Sequence, residues 1–231
     1  MKAMKALLWK DCRVNGLVLI VGAVLVVGPF LIAVPVNFYS ERVFGALPRP
    51  WPQQLTTIGL ASLSFSLLTM VMLGGNAIAG ERADRSAEFL AYLPPSRRAI
   101  ITSKAVLAIG AGLAVWLVNL GVIYVLAPRT ARIPEELAMH LGDVQGDTLV
   151  FLAALSVYLF GSAWLGSCLV ASPAIATGLG FVPPFITGCL LLYFLGPEHP
   201  DIDAWYYTLA VTLGVLFFVA GVAYYVRRVE P

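Results

Sequence analysis

Charge is what this sequence has least of. Only 12% of its 231 residues are Asp, Glu, Lys or Arg, while 59% are hydrophobic. A water-soluble domain carries about 25% charged and about 45–50% apolar residues. The scarcity is also segregated. No charged residue occurs within 14–40, 50–80, 105–128, 148–197 or 204–226. Every gap exceeds the roughly 20 residues that a helix needs to cross hydrocarbon, so a soluble globular fold is excluded. Cysteine is scarce too, with only Cys12, Cys168 and Cys189. An odd number without metal-ligand spacing excludes a disulfide framework, and these residues read as small packing side chains. Histidine occurs twice. His199 sits in "PEHPDID" among Glu198, Asp201 and Asp203, which reads as a solvated acidic loop rather than a metal site. No G-x-x-x-x-G-K-[ST] phosphate loop is present, so the chain does not hydrolyse ATP by itself.

The apolar gaps also lack His. Ion-driven carriers and proton pumps place an ionisable group at membrane depth, and an intramembrane hydrolase needs an acid, a base or a metal ligand. A self-contained secondary transporter and a membrane enzyme are both disfavoured. Asn76 and Asn119 are the strongest polar groups within the gaps, and neither has an evident catalytic partner. No catalytic residue, metal or cofactor is expected in this chain.

What is there predicts an all-α integral membrane protein, one transmembrane domain over residues 1–231. Six spans are expected, at about 14–36, 55–79, 105–127, 148–171, 174–196 and 205–226. The charge-free run 148–197 holds two of them, hinged at "ASPA", 171–174. The first span is longer than a signal-peptide core of about 7–15 residues and reads as retained. Lys and Arg set the orientation. One side holds Lys2, Lys5, Lys10, Arg13, Arg82, Arg85, Arg97, Arg98, Lys104, Arg227 and Arg228. The other holds Arg42, Arg49, Arg129 and Arg132. Both termini are therefore expected in the cytoplasm. The net charge of +2 hides this asymmetry and implies no nucleic-acid partner.

Smaller features follow along the chain. "MKAMKALLWKDCR" reads as an interfacial amphipathic helix, residues 1–13, with Leu7, Leu8 and Trp9 on an apolar side and Lys5, Lys10 and Arg13 on a basic one. Such a helix lies among anionic headgroups; the alternative is a simple topogenic flank. The first outer loop carries Phe38, Tyr39, Phe44 and Trp51, suited to an interfacial belt, and Pro48, Pro50 and Pro52 oppose a continuous helix. The second outer loop contains "PEELAMHL", which predicts a short surface helix started by Pro134. Ser62, Ser66 and Thr69 share one face of the second span, as helix-packing residues or as part of a translocation path. Ser162 and Gly166 form a small-xxx-small pair. Pro183-Pro184 should kink or break the fifth span, either lining a path or as a kink within a packed bundle.

The densest charge lies in "GERADRSAEFLAYLPPSRRAIITSKAV", residues 80–106. Residues 81–93 read as a helix, with Glu81 and Arg85 paired at i, i+4 and Phe89, Leu90 and Leu93 on an apolar side. Pro94-Pro95 ends it. Ser96 is the expected N-cap of a helix that runs through Lys104 into the third span. Here the chain resembles the membrane permeases of type-2 ABC exporters. Their second span leads into E-R-x-x-G-T-x-E-x-L-x-x-x-P-x-S-R-x-x-I-x-x-x-K. Glu81, Arg82, Glu88, Leu90, Pro94, Ser96, Arg97, Ile100 and Lys104 stand in that register. The sequence departs from that pattern where Arg85-Ser86 replaces the family's Gly-Thr and Pro95 an aliphatic residue.

The resemblance implies that segment 80–104 is the coupling element for a separate ATPase, through Glu81, Arg82, Glu88, Leu90, Pro94, Ser96, Arg97 and Lys104. It implies two ABC ATPase subunits, which bind ATP and Mg, and a second permease copy, as homodimer or heterodimer. It implies a multi-pass protein of a prokaryote's cytoplasmic membrane that moves cargo by alternating access or a related gating movement. Ser62, Ser66, Thr69, Pro183 and Pro184 are then candidates for the translocation path. The lack of charge in the spans favours an amphipathic or apolar cargo. The competing reading is a six-span scaffold or immunity protein without transport activity.

Overall fold

The structure, a computed structural model, describes residues 2–44, 51–83, 96–126 and 135–228. These residues form seven helices. Helix α1 is Lys2–Val14 and α2 is Gly16–Phe44. Helix α3 is Trp51–Ala83 and α4 is Arg97–Gly121, extended by one π-helical turn, Val122–Leu126. Helix α5 is Glu135–Leu169, α6 is Pro173–Leu195 and α7 is Ile202–Arg228. No strand occurs among the described residues. Six helices are long and apolar enough to cross a membrane, with candidate spans at 16–33, 54–83, 97–125, 146–169, 173–195 and 202–227.

Local chemistry explains most of the boundaries. Ser96 is extended (φ −65°, ψ 149°), and its hydroxyl accepts from the Ala99 N–H at 3.3 Å. This is the expected N-cap, which satisfies one of the free donors of the first turn. The expected hinge is also present. Helix α5 ends at Leu169, Ser172 caps α6, and Pro173 opens that helix, where its missing N–H costs nothing. Gly196 closes α6 at φ 79°, and its N–H donates to the Leu192 carbonyl at 3.1 Å.

Two expectations are corrected. The surface helix at Glu135 is not separate, because α5 runs unbroken from Glu135 to Leu169. No proline lies between Glu135 and Leu169, and glycine weakens a helix by only about 1 kcal/mol without ending it. Nor does Pro183-Pro184 break α6, which is one helix from Pro173 to Leu195. Pro184 cannot donate to the carbonyl of Gly180, four residues earlier. That carbonyl instead accepts from the Ser162 hydroxyl of α5 at 2.7 Å. A neighbouring hydroxyl thus replaces the missing amide, as is common inside membranes.

Helices α3 and α5 form the centre. More than half of each candidate span there is buried (56% and 67%), against 17–22% in the other four. Small residues let the backbones meet. A Cβ at Gly74 of α3 would lie 2.8 Å from the Phe160 carbonyl oxygen of α5, and one at Gly214 of α7 would lie 2.7 Å from the Val157 carbonyl oxygen of α5. Lipid supplies no hydrophobic drive between helices, so close contact of this kind holds them. Ser62 donates to the Val26 carbonyl of α2 at 2.8 Å, and Ser66 donates within its own helix to Leu63 at 2.6 Å. Aromatic rings close the core at one end. Trp164 lies 5.5 Å from Phe160 and 5.1 Å from Phe218, centroid to centroid.

Candidate functional site

Sequence logic pairs Glu81 with Arg85. Arg85 lies outside the described residues, and among those described Glu81 has partners that this spacing does not name. Helix α3 continues through Glu81 to Ala83, and the Glu81 side chain is buried among charges from two other helices. Lys104 Nζ of α4 lies 3.0 Å from Glu81 Oε1 and 3.5 Å from Asp11 Oδ1 of α1. Lys10 of α1 pairs with Glu81 and stands 3.9 Å from Asp11 Oδ1. Two lysines and two carboxylates form a closed ring with no net charge. The side chains of Asp11, Glu81 and Lys104 are nearly inaccessible (2%, 4% and 3%), whereas Lys10 keeps 27% exposure.

Hydrogen bonds extend the ring. The Ser103 hydroxyl bonds Asp11 Oδ2 and stands 2.9 Å from the Ile100 carbonyl oxygen. The Asp11 carbonyl accepts from the backbone N–H and the side-chain amide of Asn15, each at 2.9 Å. Asn15 Oδ1 accepts from the Asn76 amide at 2.7 Å. Asn76, which has no evident partner in the sequence, is thus joined to the α1–α2 junction. Arg82 reaches α5, donating to the Cys168 carbonyl at 2.9 Å, and the Cys168 thiol contacts the Gly221 carbonyl of α7 at 3.4 Å. Five helices are tied together at one end of the bundle.

Burial of this kind has a definite energetic character. Desolvating a charge costs several kcal/mol, and mutual attraction repays that only when every partner is in place. The ring is balanced only while α1, α3 and α4 together bring all four partners into place. It also joins the two helices that precede and follow residues 84–95 in the sequence. Glu81 lies on the helix before them and Lys104 on the helix after them, with Ser96 capping the start of α4. The two flanks of that segment are joined to each other and to α1.

The other sequence candidates are placed as follows. Glu88, Leu90 and Pro94 lie outside the described residues, as do Arg85 and the rest of the expected helix 81–93 beyond Ala83. Arg97 is half-buried in the first turn of α4. Ser62, Ser66 and Thr69 are buried, with Thr69 against Gly22 of α2. Pro184 is buried and Pro183 half-buried. Ser62 and Thr69 meet α2, Ser66 bonds within α3, and the Gly180 carbonyl freed by Pro184 meets Ser162 of α5. Asn119 donates to Val115 of its own helix at 2.9 Å. His199 Nδ1 accepts from the Asp201 N–H at 3.2 Å, shaping the α6–α7 turn.

Sequence reasoning missed Asp11, Asn15 and Ser103. One signal was available. Asp11 is the only acid in the otherwise basic first helix, one turn before a 27-residue charge-free run, and an acid there calls for a buried cation.

The chain matches no family model, and no curated protein or solved structure is significantly similar to it. Fold and composition define a class: an all-helical, multi-pass membrane protein with six candidate spans.

Proposed function

We propose that this chain is the transmembrane permease subunit of an ATP-driven ABC exporter. It works in a prokaryotic cytoplasmic membrane with both termini inside, beside a second permease copy and two ATPase subunits that bind ATP and Mg. Residues 80–104 are the coupling element. The observation that carries this reading is the ion ring at the base of that element. A connection that only links two spans needs no charge network at its root. Here Glu81 and Lys104 join the two flanks across a 3.0 Å contact, and Asp11 adds α1. A push on residues 84–95 would move α3, α4 and α1 as a unit, and Arg82 would pass it to α5 through Cys168. Such stiffness is what conversion of ATPase closure into span movement requires. Within this reading Glu81 and Lys104 are internal positioning residues. The contacts with the ATPase are assigned to Glu88, Leu90, Pro94 and Arg97.

The test uses a tagged chain purified from its native membrane. The expected result is a stoichiometric, phosphate-loop ATPase in the complex, with ATP-dependent cargo movement after reconstitution. Glu88→Lys should weaken the ATPase association or uncouple ATP hydrolysis from transport, while membrane insertion survives, because the change adds positive charge on the inner side. A correctly inserted protein that binds no ATPase, or a Glu88→Lys variant that assembles and transports normally, would overturn the proposal.

A further inference from the structure

Helix α1 has two faces, and the ring uses only one. Leu7 and Asp11 are buried at i, i+4, and the series continues inward through Asn15 and Val18. On the outward face stand Lys5, Trp9 and Arg13, again four residues apart. Lys5 and Arg13 are exposed, and Trp9 is 66% exposed. The Arg13 guanidinium lies 5.7 Å from the centre of the Trp9 ring, within the range of a cation–π contact. This partly revises the expected amphipathic helix. Leu7 faces protein rather than lipid, and Lys10 turns inward to Glu81. The outward charge is then wholly basic, because Asp11, the only acid of α1, is sequestered.

The same exposed line continues into the first span. Asn15 N–H donates to the Asp11 carbonyl and Leu19 N–H to the Asn15 carbonyl, both at 2.9 Å, so helical bonding crosses the α1–α2 junction. Leu17, one turn beyond Arg13, is 74% exposed, and Ile20 and Val24 follow at 63% and 62%. Along one surface the chemistry passes from cation and indole to bare aliphatic within a single turn, about 5 Å. A bilayer leaflet passes from phosphate to acyl chain in the same sequence, and Trp and basic residues collect at that boundary.

We propose that Lys5, Trp9 and Arg13 form a binding stripe for an anionic phospholipid. The two cations meet the phosphodiester, the indole lies between them at the headgroup boundary, and Leu17, Ile20 and Val24 lie along the chains. Charge complementarity commits the stripe to an anionic headgroup. The inference rests on the membrane-spanning character of α2 and is independent of the transporter reading.

The full chain, reconstituted in nanodiscs of phosphatidylcholine and phosphatidylglycerol, provides the test. Bromine is placed on the acyl chains of one lipid at a time, and the fluorescence quenched in wild type but not in Trp9→Phe reports lipid beside Trp9. Brominated phosphatidylglycerol should quench this component beyond its share of the bilayer. Each basic contact contributes about a fivefold preference. Lys5→Gln with Arg13→Gln should therefore lower the relative association constant for phosphatidylglycerol roughly 25-fold, with an unchanged melting temperature. Arg227→Gln, at an exposed position elsewhere, should leave it unaltered. Quenching that tracks bulk composition in the wild type, or a double variant that keeps the preference, overturns the proposal. So does a Trp9 quenched by neither lipid, which would mean that protein covers this face.

Discussion

The ammonium of Lys104 and the carboxylate of Glu81 stand 3.0 Å apart, each almost fully buried, on the two helices that border residues 84–95. Removing one member of a buried pair leaves an uncompensated charge, at a cost of about 3–5 kcal/mol. Lys104→Met should lower thermal stability in detergent by about that amount. The double change Glu81→Gln with Lys104→Met leaves Lys10 and Asp11 as a balanced couple, so it should recover at least half of the loss. A double variant no more stable than Lys104→Met would show that the pairing is not the dominant interaction.

The Ser162 hydroxyl and the Gly180 carbonyl offer a second cycle. Ser162→Ala should destabilise the chain by about 1–3 kcal/mol, because it leaves a buried acceptor unmet. Pro184→Ala restores the amide that would satisfy the same carbonyl within α6. In the Pro184→Ala background, Ser162→Ala should therefore cost markedly less. Equal costs in both backgrounds, read from denaturation midpoints, would separate the serine from the proline.

Backbone contact between α5 and α7 is the next target. Gly214→Ala places a Cβ 2.7 Å from the Val157 carbonyl oxygen and 2.8 Å from Tyr158 Cα. Neither is a flexible side chain, so the helices must separate, at about 1–3 kcal/mol. Gly110→Ala meets nothing within 4 Å and should stabilise α4 by up to about 1 kcal/mol. Melting temperatures that move the same way in the two variants would show that the crossing tolerates separation.

Orientation is checked by thiol labelling. With Cys12, Cys168 and Cys189 replaced by alanine, cysteine at Ser86 or Glu230 should react only from the cytoplasmic side. Cysteine at Ala131 or Asp201 should react only from the opposite side. The basis is the excess of Lys and Arg in the inward segments. Labelling of position 86 from outside would reverse the orientation and remove the coupling assignment.

The amino-acid sequence alone determined the six apolar helices, the hinge at 171–174 and the Ser96 cap. Each depends on residues within one or two turns: an uncharged run, a proline after a serine, a hydroxyl three residues before a free amide. It could not determine who meets whom. Glu81 lies with Lys104 and with Lys10, 71 positions earlier, and no local spacing rule names either partner. An exposed carboxylate is served by its helical neighbour. A buried one must find cations on other helices, because water is absent and desolvation must be repaid. The same holds for Pro184, whose freed Gly180 carbonyl is met by Ser162, 18 positions before Gly180. Local rules predict a break wherever an amide is missing. Whether the helix survives depends on which hydroxyl the packing of α5 against α6 brings within 2.7 Å, and only the tertiary structure decides that.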